Sequence, residues 1–504
     1  MAEQAAPALL WFRQDLRLAD NPALHAAMAD GRPVLPVYIL EDGIPGGIRS
    51  WGRASLWWLH YALAALDSDL RKRHGSGLLL LRGDPRKLLP ALATQVSAAA
   101  LHWNRRYDAE GIAVDTEVKA RVKALGLSAE SHKAALLHEP WEIRNQSGSW
   151  FKVFTPFWRA CQQTGAPAAP LPAPKKLRLA ALPKLGDSLK DWRLLPSKPD
   201  WAGGLRKSWT PGEAGAAAQL ADFLDHRIKG YAGNRDRPDL PGTSRLSPHL
   251  HFGEISPRQI WHAARMREDA GSLPSSDLAK FLSEIGWREF SHHLLFHFPD
   301  LPSRNFRPEF DAFPWRTDKK LLQAWQRGRT GYPIVDAGMR ELWQTGWMHN
   351  RVRMIVASFL VKHLGQDWRN GEAWFWDTLV DADAANNAAS WQWVAGSGAD
   401  AAPYFRIFNP MLQGERFDPA GVYIRRWLPE LSALPDAWLH KPWAAPESVL
   451  RAAKLALGKD YPHPVVDHAT AREKALAAFA SLRDKETDGK ASKTVAKKAA
   501  KGAA

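Results

Sequence analysis

The hydrophobic pattern of this chain differs between its N-terminal part and the rest, and this difference limits the folds open to it. Short apolar runs typical of buried strands occupy residues 8–12, 34–40, 78–81 and 99–103, with helical patterns between them. The clearest of these covers residues 53–72, where leucines recur every three or four positions. Such alternation predicts a parallel sheet covered by helices. No GxGxxG sequence follows the first run, so the dinucleotide-binding fingerprint is missing.

A stretch rich in Pro, Ala, Lys and Gly follows, and residues 164–204 are therefore predicted to form an extended, poorly packed connector. Beyond it, apolar residues follow helical spacing, and no alternating strand pattern appears through residue 480. Few large apolar side chains occur near the C-terminus, so we expect disorder there. These patterns predict an α/β domain, a linker, an all-α helical domain and a disordered Lys/Ala-rich tail, at residues 1–132, 133–204, 205–483 and 484–504.

Charge and cysteine content indicate the kind of partner and the compartment. The chain has 68 Lys and Arg against 53 Asp and Glu, a net charge of +15, which favours an anionic partner such as nucleic acid. Cys161 is the single cysteine, which excludes a disulfide framework or a thiolate metal cluster and fits a reducing cytosol. No signal peptide or membrane-length apolar run is present. We therefore expect a cytoplasmic, monomeric protein with no membrane partner.

The segment Thr243-Ser-Arg-Leu-Ser-Pro-His-Leu250 combines hydroxyl groups and a guanidinium just ahead of a helical pattern. Ser247 suits an N-cap and Pro248 suits the first helical position, so a helix start is one interpretation. Free amides, the hydroxyls and Arg245 would equally suit a phosphate or pyrophosphate. The segment alone leaves both interpretations open.

Three further segments mix charged, amide and indole side chains within apolar helical patterns. In Trp347-Met-His-Asn-Arg-Val-Arg-Met354, Arg353 could pair with Asp381 or Asp383 as a purely structural ion pair, or could line a cofactor cavity. The segment from Asp381 to Trp393 offers few oxygen ligands for a metal ion, so no metal site is predicted. Glu284-Ile-Gly-Trp-Arg-Glu289, taken alone, is typical of a surface ion pair over a core Trp.

In this order, these segments resemble the photolyase/cryptochrome flavoproteins, and in detail the class I photolyases for cyclobutane pyrimidine dimers. The resemblance begins with Leu10-Trp-Phe-Arg-Gln-Asp-Leu-Arg-Leu-Ala-Asp-Asn21 and is densest from Gly331-Tyr-Pro-Ile-Val-Asp336 to Asn409-Pro410. It spans about residues 8–480. It implies a Rossmann-like N-terminal domain and a helical domain that binds FAD in a folded form.

The resemblance also implies which residues hold FAD. Asn387 falls where photolyases place an Asn against the central-ring nitrogen of the flavin and where plant cryptochromes carry Asp. A neutral amide there is expected to favour the reduced anionic flavin. By position, the cofactor-binding residues are expected to be Tyr231, Thr243, Ser244, Arg245, Leu246, Ser247, Arg288, Trp347, Asn350, Arg353, Asp381, Asp383 and Asn387.

The activity that the resemblance implies is light-driven repair of UV-damaged DNA, in which excited reduced flavin donates an electron to a dimer, the dimer splits, and the electron returns. The dimer has to be flipped out of the duplex first. Six-four photolyases have His at the Asn350 position, so Asn350 with Met354 favours cyclobutane dimers. The residues expected to contact the dimer or the DNA backbone are Glu284, Trp287, Asn350, Met354, Trp393, Arg235, Arg351 and Arg406.

Three tryptophans match the relay that carries electrons from the surface to photoexcited oxidised flavin. They are Trp391, Trp368 and Trp315, and with Glu284 and Asn387 they form the expected catalytic set. A second, antenna chromophore is also implied. The Asn-Glu pair of folate-binding relatives is replaced near Glu110-Gly111, which leaves a deazaflavin, a folate or an empty cleft open.

Two rival functions remain. A cryptochrome-type blue-light photoreceptor would keep the flavin and the tryptophan relay but signal through a partner, since one fold supports several functions. A basic, Trp-rich DNA-binding protein without flavin would be colourless. The complete set of dimer-pocket residues favours repair, because a photoreceptor has no need of it.

Overall fold

The computed structural model describes residues 6–271, 273–401 and 405–482. Its N-terminal part contains a sheet of five parallel strands in the order β3-β2-β1-β4-β5. The strands are β1 (Ala8–Phe12), β2 (Val34–Leu40), β3 (Leu79–Arg82), β4 (Ala100–Asn104) and β5 (Ser128–His132). The helices between them are α1 (Pro22–Met28), α2 (Arg53–His74), α3 (Pro85–Gln95) and α4 (Ala109–Ala124). The predicted parallel α/β domain is confirmed.

Helices cover both faces of this sheet, as the sequence pattern requires. Four leucines of α2, Leu59, Leu63, Leu66 and Leu70, are buried with residues of β1 on one face. Trp11 and Trp103 are fully or almost fully buried on the other face, with residues of α3 and α4. Strand β5 lacks an apolar run, because it lies at the sheet edge and alternates exposed with buried residues.

The predicted connector contains no helix or named strand between residues 164 and 202, but the expectation of poor packing is wrong. Leu177, Trp192 and Leu194 are buried against the sheet domain, because these large apolar side chains are spaced among the prolines. Leu179 also forms a parallel bridge with Val34 of β2. Within residues 133–204, the structure adds helix α5 (Phe154–Gln163), whose Phe157 packs with Phe290 and Leu294 of the helical domain.

The rest of the described chain is helical, as predicted. It contains α6 (Gly203–Ser208), α7 (Glu213–Asp222), α8 (Tyr231–Asn234), α9 (Ser247–His251), α10 (Pro257–Asp269), α11 (Ser275–His297), α12 (Lys319–Gln326), α13 (Pro333–Thr345), α14 (Asn350–Ser358), α15 (Trp368–Thr378), α16 (Ala384–Ala395), α17 (Pro410–Phe417), α18 (Val422–Trp427), α19 (Asp436–Leu439) and α20 (Glu447–Ala452). Residues 468–482 are also helical, and the tail predicted to be disordered, 484–504, lies outside the described residues. Among the helices described, none has both the length and the apolar character to cross a bilayer.

Two local predictions need correction. Helix α9 begins at Ser247 with Leu246 as its N-cap, and Ser247 does not cap the helix, because its hydroxyl donates to the Asp381 carboxylate at 2.6 Å. Helix α14 begins at Asn350, so Trp347 precedes it. The His349 side chain caps this helix by accepting a hydrogen bond from the Arg351 amide, which fixes the helix start three residues later than the pattern suggests.

The two domains meet through backbone contacts that only glycine permits. A Cβ atom on Gly253, where φ is +64°, would lie 2.0 Å from the Gln14 carbonyl oxygen. One on Gly52 would lie 1.9 Å from the carbonyl oxygen of Trp376. The hydrophobic cluster behind these contacts includes α2 side chains together with Trp209, Phe252 and Val380 of the helical domain, so one apolar core crosses the boundary.

A buried carboxyl group connects the linker to α11 and gives a pH-dependent contribution to stability. The Glu289 carboxyl accepts hydrogen bonds from the amides of Leu137 and His138 at 2.9 and 3.0 Å, and burial raises its pKa to about 7. Because this pKa is higher in the folded state than in the unfolded state, the unfolded chain releases the proton first as pH rises. The resulting stability is present below about pH 4.5 and is lost as pH rises through about 7.

Glu289→Gln is therefore expected to flatten the decline in the free energy of unfolding between pH 5 and 8. Over this interval the free energy of unfolding of the wild type should fall by at most about 3 kcal/mol more than that of the variant. Urea unfolding at a series of pH values measures it, with Glu473→Gln, at an exposed position, as the control. Equal slopes for the wild type and Glu289→Gln would show that Glu289 does not titrate in this range.

Candidate active site

A cavity of about 500 Å³ opens within the helical domain, among α9, α11, α14 and α16. Its volume lies in the range of small-molecule and cofactor sites. Most of the residues expected to bind the cofactor, the dimer or the DNA backbone line it: Tyr231, Arg235, Ser244, Leu246, Ser247, Glu284, Trp287, Arg288, Asn350, Arg351, Arg353, Met354, Asp381, Asp383, Asn387 and Trp393. Residues far apart in sequence thus line one cavity, because four helices converge there.

The Asp381 carboxylate joins two elements of the cavity wall. Its Oδ2 atom accepts a hydrogen bond from Arg353 Nη2 at 2.8 Å and another from the Ser247 hydroxyl at 2.6 Å. Its Oδ1 atom is buried and has no hydrogen-bond partner in the described residues. Since a buried carboxylate oxygen needs a donor, this atom fits a ligand that presents an N–H or O–H group, as the flavin ring and ribityl chain of FAD do.

Asp383 is the N-cap of α16 and carries a stable negative charge. Its Oδ1 atom accepts from the Asn386 amide, while Oδ2 lies 3.6 Å from His292 Nε2 and 3.9 Å from His251 Nδ1. Burial alone would raise the pKa of Asp383, but the nearby His292, His251 and Arg288 lower it overall. Both ring nitrogens of His251 lack a hydrogen-bond partner among the described residues, so this cluster also has unused polar groups.

Asn387 is held by its neighbour on α15. Its side-chain Nδ2 group donates to the Glu372 carboxylate at 2.9 Å and to the Glu372 carbonyl oxygen at 3.1 Å. Glu372 also pairs with Arg49 of the sheet domain at 2.7 Å. With the amide nitrogen occupied in this way, the side-chain oxygen is the atom of Asn387 that can accept a hydrogen bond from a ligand in the cavity.

Three residues expected to bind the cofactor, Thr243, Arg245 and Trp347, are not among the residues that line the described cavity. The Arg245 guanidinium lies 4.2 Å from the Trp209 ring centroid and 5.1 Å from that of Trp347, because indole faces attract a guanidinium. Trp347 donates its indole N–H to the Ser247 hydroxyl at 3.3 Å. The Thr243 carbonyl accepts a hydrogen bond from Arg227. The described side chain of Arg245 therefore packs against two indoles, and its expected contact with a phosphate stays a prediction.

The outer part of the cavity carries the aromatic and acidic residues expected to contact a dimer. The ring of Trp287 stacks on Phe154, with centroids 3.8 Å apart and planes at 11°. The Trp393 indole N–H donates to the Asp400 carbonyl at 2.9 Å. Glu284 accepts a hydrogen bond from Arg235 at 2.8 Å and lies 3.0 Å from the Lys280 ammonium. Sequence reasoning missed Phe154, because it lies far from Trp287 in the sequence, within the predicted linker.

Arg235 and Arg351, two of the residues expected to contact the DNA backbone, form ion pairs with carboxylates of the described residues. Their side chains are only 14% and 18% exposed, and Arg351 pairs with Asp236 at 2.7 Å while Arg235 pairs with Glu284. Buried charges require such partners, so both groups fix the cavity wall. Asp236, beside Arg235 in the sequence, was missed, although the run Arg235-Asp-Arg237 is a signal for internal pairing. Arg406 is exposed, as a backbone-contacting residue should be.

The three tryptophans expected to form a relay differ in their surroundings. Trp391 lines the cavity and is buried, and its six-membered ring packs where a Cβ atom on Gly371 would lie, 2.1 Å from Cη2. Trp368, at the start of the same helix as Gly371, is fully buried and donates to Asn305 at 2.9 Å. Trp315 is partly exposed and lies on Phe313, with ring centroids 4.4 Å apart. Trp391 and Trp368 are therefore both buried, and Trp315 is the one of the three that is partly exposed.

A second cavity, of about 180 Å³, lies between the two domains near the carboxyl ends of the strands. Glu110, Asn104 and Arg106 of the sheet domain line it, as do His251 and Asp383 of the helical domain. The carboxyl edge of a parallel sheet is the usual place for a ligand in such folds. This cavity is the candidate position for the antenna chromophore that the sequence analysis leaves open.

Comparison with known proteins identifies the family. Residues 281–481 match the family described as the FAD binding domain of DNA photolyase, and residues 8–175 match the family described as DNA photolyase. The deoxyribodipyrimidine photo-lyase of Agrobacterium fabrum is 53% identical over 96% of this chain and 99% of that protein. Cryptochrome-1 of Arabidopsis thaliana is 40% identical over 92% of this chain and 69% of that protein.

A solved structure agrees with the fold. The crystal structure of a bacterial class III photolyase from Agrobacterium tumefaciens has a TM-score of 0.92 and 52% identity, covering 96% of this chain and 99% of that one. The helical domain is thus an FAD-binding domain, and the unpaired Asp381 oxygen fits that cofactor. With a photolyase more than half identical over nearly its whole length, the chain belongs to the photolyase/cryptochrome family of flavoproteins.

Proposed function

We propose that this protein is a deoxyribodipyrimidine photo-lyase that uses light to split cyclobutane pyrimidine dimers in UV-damaged DNA. The observation that carries the proposal is a single cavity with two kinds of wall. Asp381, Arg353 and Asn387 form a polar wall suited to FAD, and Trp287 with Glu284 forms an aromatic and acidic wall suited to a flipped dimer. When bound at the polar wall, reduced FAD would supply the light-driven electron-transfer chemistry of dimer splitting.

The residues around the proposed dimer position hold it by stacking and hydrogen bonding. Trp287, kept rigid by Phe154, offers a flat indole face for the bases. Arg235 and Lys280 fix the Glu284 carboxyl group, which leaves it oriented to hydrogen-bond the polar edge of a pyrimidine. Asn350 and Met354 lie one helical turn apart on α14 and bring an amide and an apolar side chain to the same cavity.

Asn387 is proposed to act on the flavin environment. Its nitrogen is held by Glu372, so its oxygen can accept a hydrogen bond from a protonated ring nitrogen, which is the form that reduced flavin presents. A carboxylate in the same place would lie beside Glu372 and repel an anionic flavin. The amide at this position therefore supports a role in repair.

The subclass of photolyase to which this chain belongs is argued from sequence identity and not from the cavity. The sequence analysis predicts class I, whereas the Agrobacterium tumefaciens protein at 52% identity is named a class III photolyase. This identity, over nearly the whole of both chains, favours class III. Either subclass is compatible with the proposed dimer substrate, and the class I prediction stays a prediction.

A cryptochrome-type photoreceptor is the second candidate, and its support is the 40% identity with an Arabidopsis cryptochrome. The dimer-contacting wall of the cavity and the amide at Asn387 favour repair over sensing. The net charge of +15 and the exposed Arg406 suit a DNA partner, whose backbone binding depends on salt and not on sequence. The expected cytoplasmic location and monomeric state stay predictions.

The test is restoration of a synthetic oligonucleotide that contains one cyclobutane dimer, by reduced protein under blue light. We expect restoration in the light and none in a matched dark sample. A parallel oligonucleotide with a six-four photoproduct should stay unrepaired. Yellow, photoreducible protein that restores neither lesion would favour the photoreceptor, and repair of the six-four lesion alone would overturn the substrate assignment.

The tryptophan relay gives a prediction that is independent of the dimer. Trp315→Phe is expected to slow photoreduction of oxidised flavin by at least about tenfold, because phenylalanine is far harder to oxidise than tryptophan and Trp315 is the partly exposed member of the relay. Repair by chemically pre-reduced Trp315→Phe protein should equal that of the wild type. Absorbance at 450 nm during illumination follows photoreduction, with Trp438→Phe as a control outside the relay. Unchanged photoreduction in Trp315→Phe would remove Trp315 from the pathway.

A further inference from the structure

Two histidines and a glutamate form a compact cluster at the edge of the sheet, and none of the three lines either cavity. His102 belongs to β4, and Glu130 and His132 belong to β5. The strand register places His102 opposite Glu130, and His132 lies two residues further along the same face of β5. One potential ligand atom from each of the three side chains lies within 4.8 Å of the others.

The distance between the two imidazole rings distinguishes this cluster from an ordinary histidine pair. His102 Nδ1 and His132 Nε2 lie 3.3 Å apart, which is long for a hydrogen bond to nitrogen. Two nitrogens bound to one tetrahedral Zn²⁺ at about 2.0–2.1 Å would lie about 3.3–3.4 Å apart. By contrast, His363 Nε2 and His468 Nδ1 lie 2.8 Å apart, the spacing of a direct hydrogen bond.

The surroundings of the three side chains also suit a metal ion. His102 is 8% exposed, His132 is intermediate and Glu130 is exposed, so the cluster has a fixed inner side and an outer side open to water. Glu130 contacts only the Ser128 hydroxyl, at 3.4 Å, among the hydrogen bonds of the described residues, and its flexible carboxylate can move toward the rings. Each ring can carry its proton on the other nitrogen, which leaves the facing nitrogen free to bind a metal.

We infer that His102, Glu130 and His132 form a binding site for Zn²⁺ or a similar borderline divalent cation, with a water molecule in the fourth position. Two imidazoles and one carboxylate are a ligand set that zinc accepts. The ion would tie the edge strand β5, whose sequence Ser-Ala-Glu-Ser-His has little apolar character of its own, to its neighbour β4. The site is separate from the proposed repair chemistry.

The experiment is titration of ZnCl₂ into the full-length FAD-containing protein, prepared without a polyhistidine tag and treated with chelator. We expect one Zn²⁺ per chain by calorimetry and a higher thermal midpoint in its presence, because an ion that binds only the folded chain stabilises it. MgCl₂, which prefers oxygen ligands, should produce neither effect.

Two variants and a matched control decide whether this cluster is the site. His132→Gln and Glu130→Gln, both on the accessible side, are each expected to weaken Zn²⁺ binding at least tenfold, since loss even of a partner outside the ligand set costs about 10- to 100-fold. His468→Gln removes a histidine from the directly hydrogen-bonded pair and should bind like the wild type. Zn²⁺ binding weaker than about 100 μM by the wild type, or equal binding by His132→Gln, would overturn the assignment.

Discussion

Trp287→Ala is expected to weaken binding of dimer-containing DNA by about 5- to 150-fold while FAD stays bound, because base–aromatic stacking contributes about 1–3 kcal/mol. Trp287 is the outer ring of a two-ring stack, since its ring centroid lies 3.8 Å from that of Phe154. Its loss removes the stacking surface and leaves Phe154 facing a gap. The polar wall around Asp381 lies on other helices and should be unaffected.

Band-shift titration with damaged and undamaged duplexes measures this effect. Affinity for undamaged DNA should change little, because the general charge of the surface is retained. Trp343→Ala is the matched control, since Trp343 is 52% exposed and stacks on Trp374 outside the cavity. An unaltered preference for damaged DNA in Trp287→Ala would remove Trp287 from the dimer pocket.

Arg353→Met is expected to lower the free energy of unfolding by about 3 kcal/mol and to release FAD during purification. The substitution leaves the Asp381 side chain, 3% exposed, with the Ser247 hydroxyl as its remaining hydrogen-bond donor. An unpaired buried carboxylate is strongly destabilising. The value lies at the low end of the usual range because Arg353 itself is 24% exposed.

Urea unfolding and the flavin absorbance of the purified protein report the two parts of this prediction. Arg369→Met is the control, because its partner Asp367 is 26% exposed and such surface pairs contribute about 0–1 kcal/mol. Arg353→Met combined with Asp381→Asn should recover part of the stability, since no charge is then left buried. If Arg353→Met alone were as stable as the wild type, the ion pair would not support the cavity wall.

Local sequence patterns were sufficient for much of the sheet domain. Strands β1 and β2 begin and end where their apolar runs do, because both are buried on two sides and need uninterrupted apolar residues. Strand β5 has no such run, since it lies at the edge, and its bounds could not be read from hydrophobicity. The packed linker was mispredicted because proline-rich composition describes the backbone, whereas Trp192 and Leu194 determine its packing.

Within the site, the sequence could predict which side chains lie near one another but not the direction in which each side chain points. The Arg353–Asp381 pair was one of two pairings that the residues allowed, and the contact at 2.8 Å selects it. The side chain of Arg245 points between two indoles, and nothing in the local sequence specifies this, because one of these, Trp209, comes from a segment that no motif marks. Glu372, which orients Asn387, was missed because its contact joins two helices and no local pattern specifies it.

The glycine contacts between the domains make unfolding of one domain depend on the other. With Gly253 against Gln14 and Gly52 against Trp376, and with one apolar cluster crossing the boundary, neither half can separate without exposing its own interior. The two domains are therefore coupled into one cooperative unit, even though the pattern of the chain divides them. A destabilising substitution in the sheet domain would therefore lower the melting temperature of the helical domain as well.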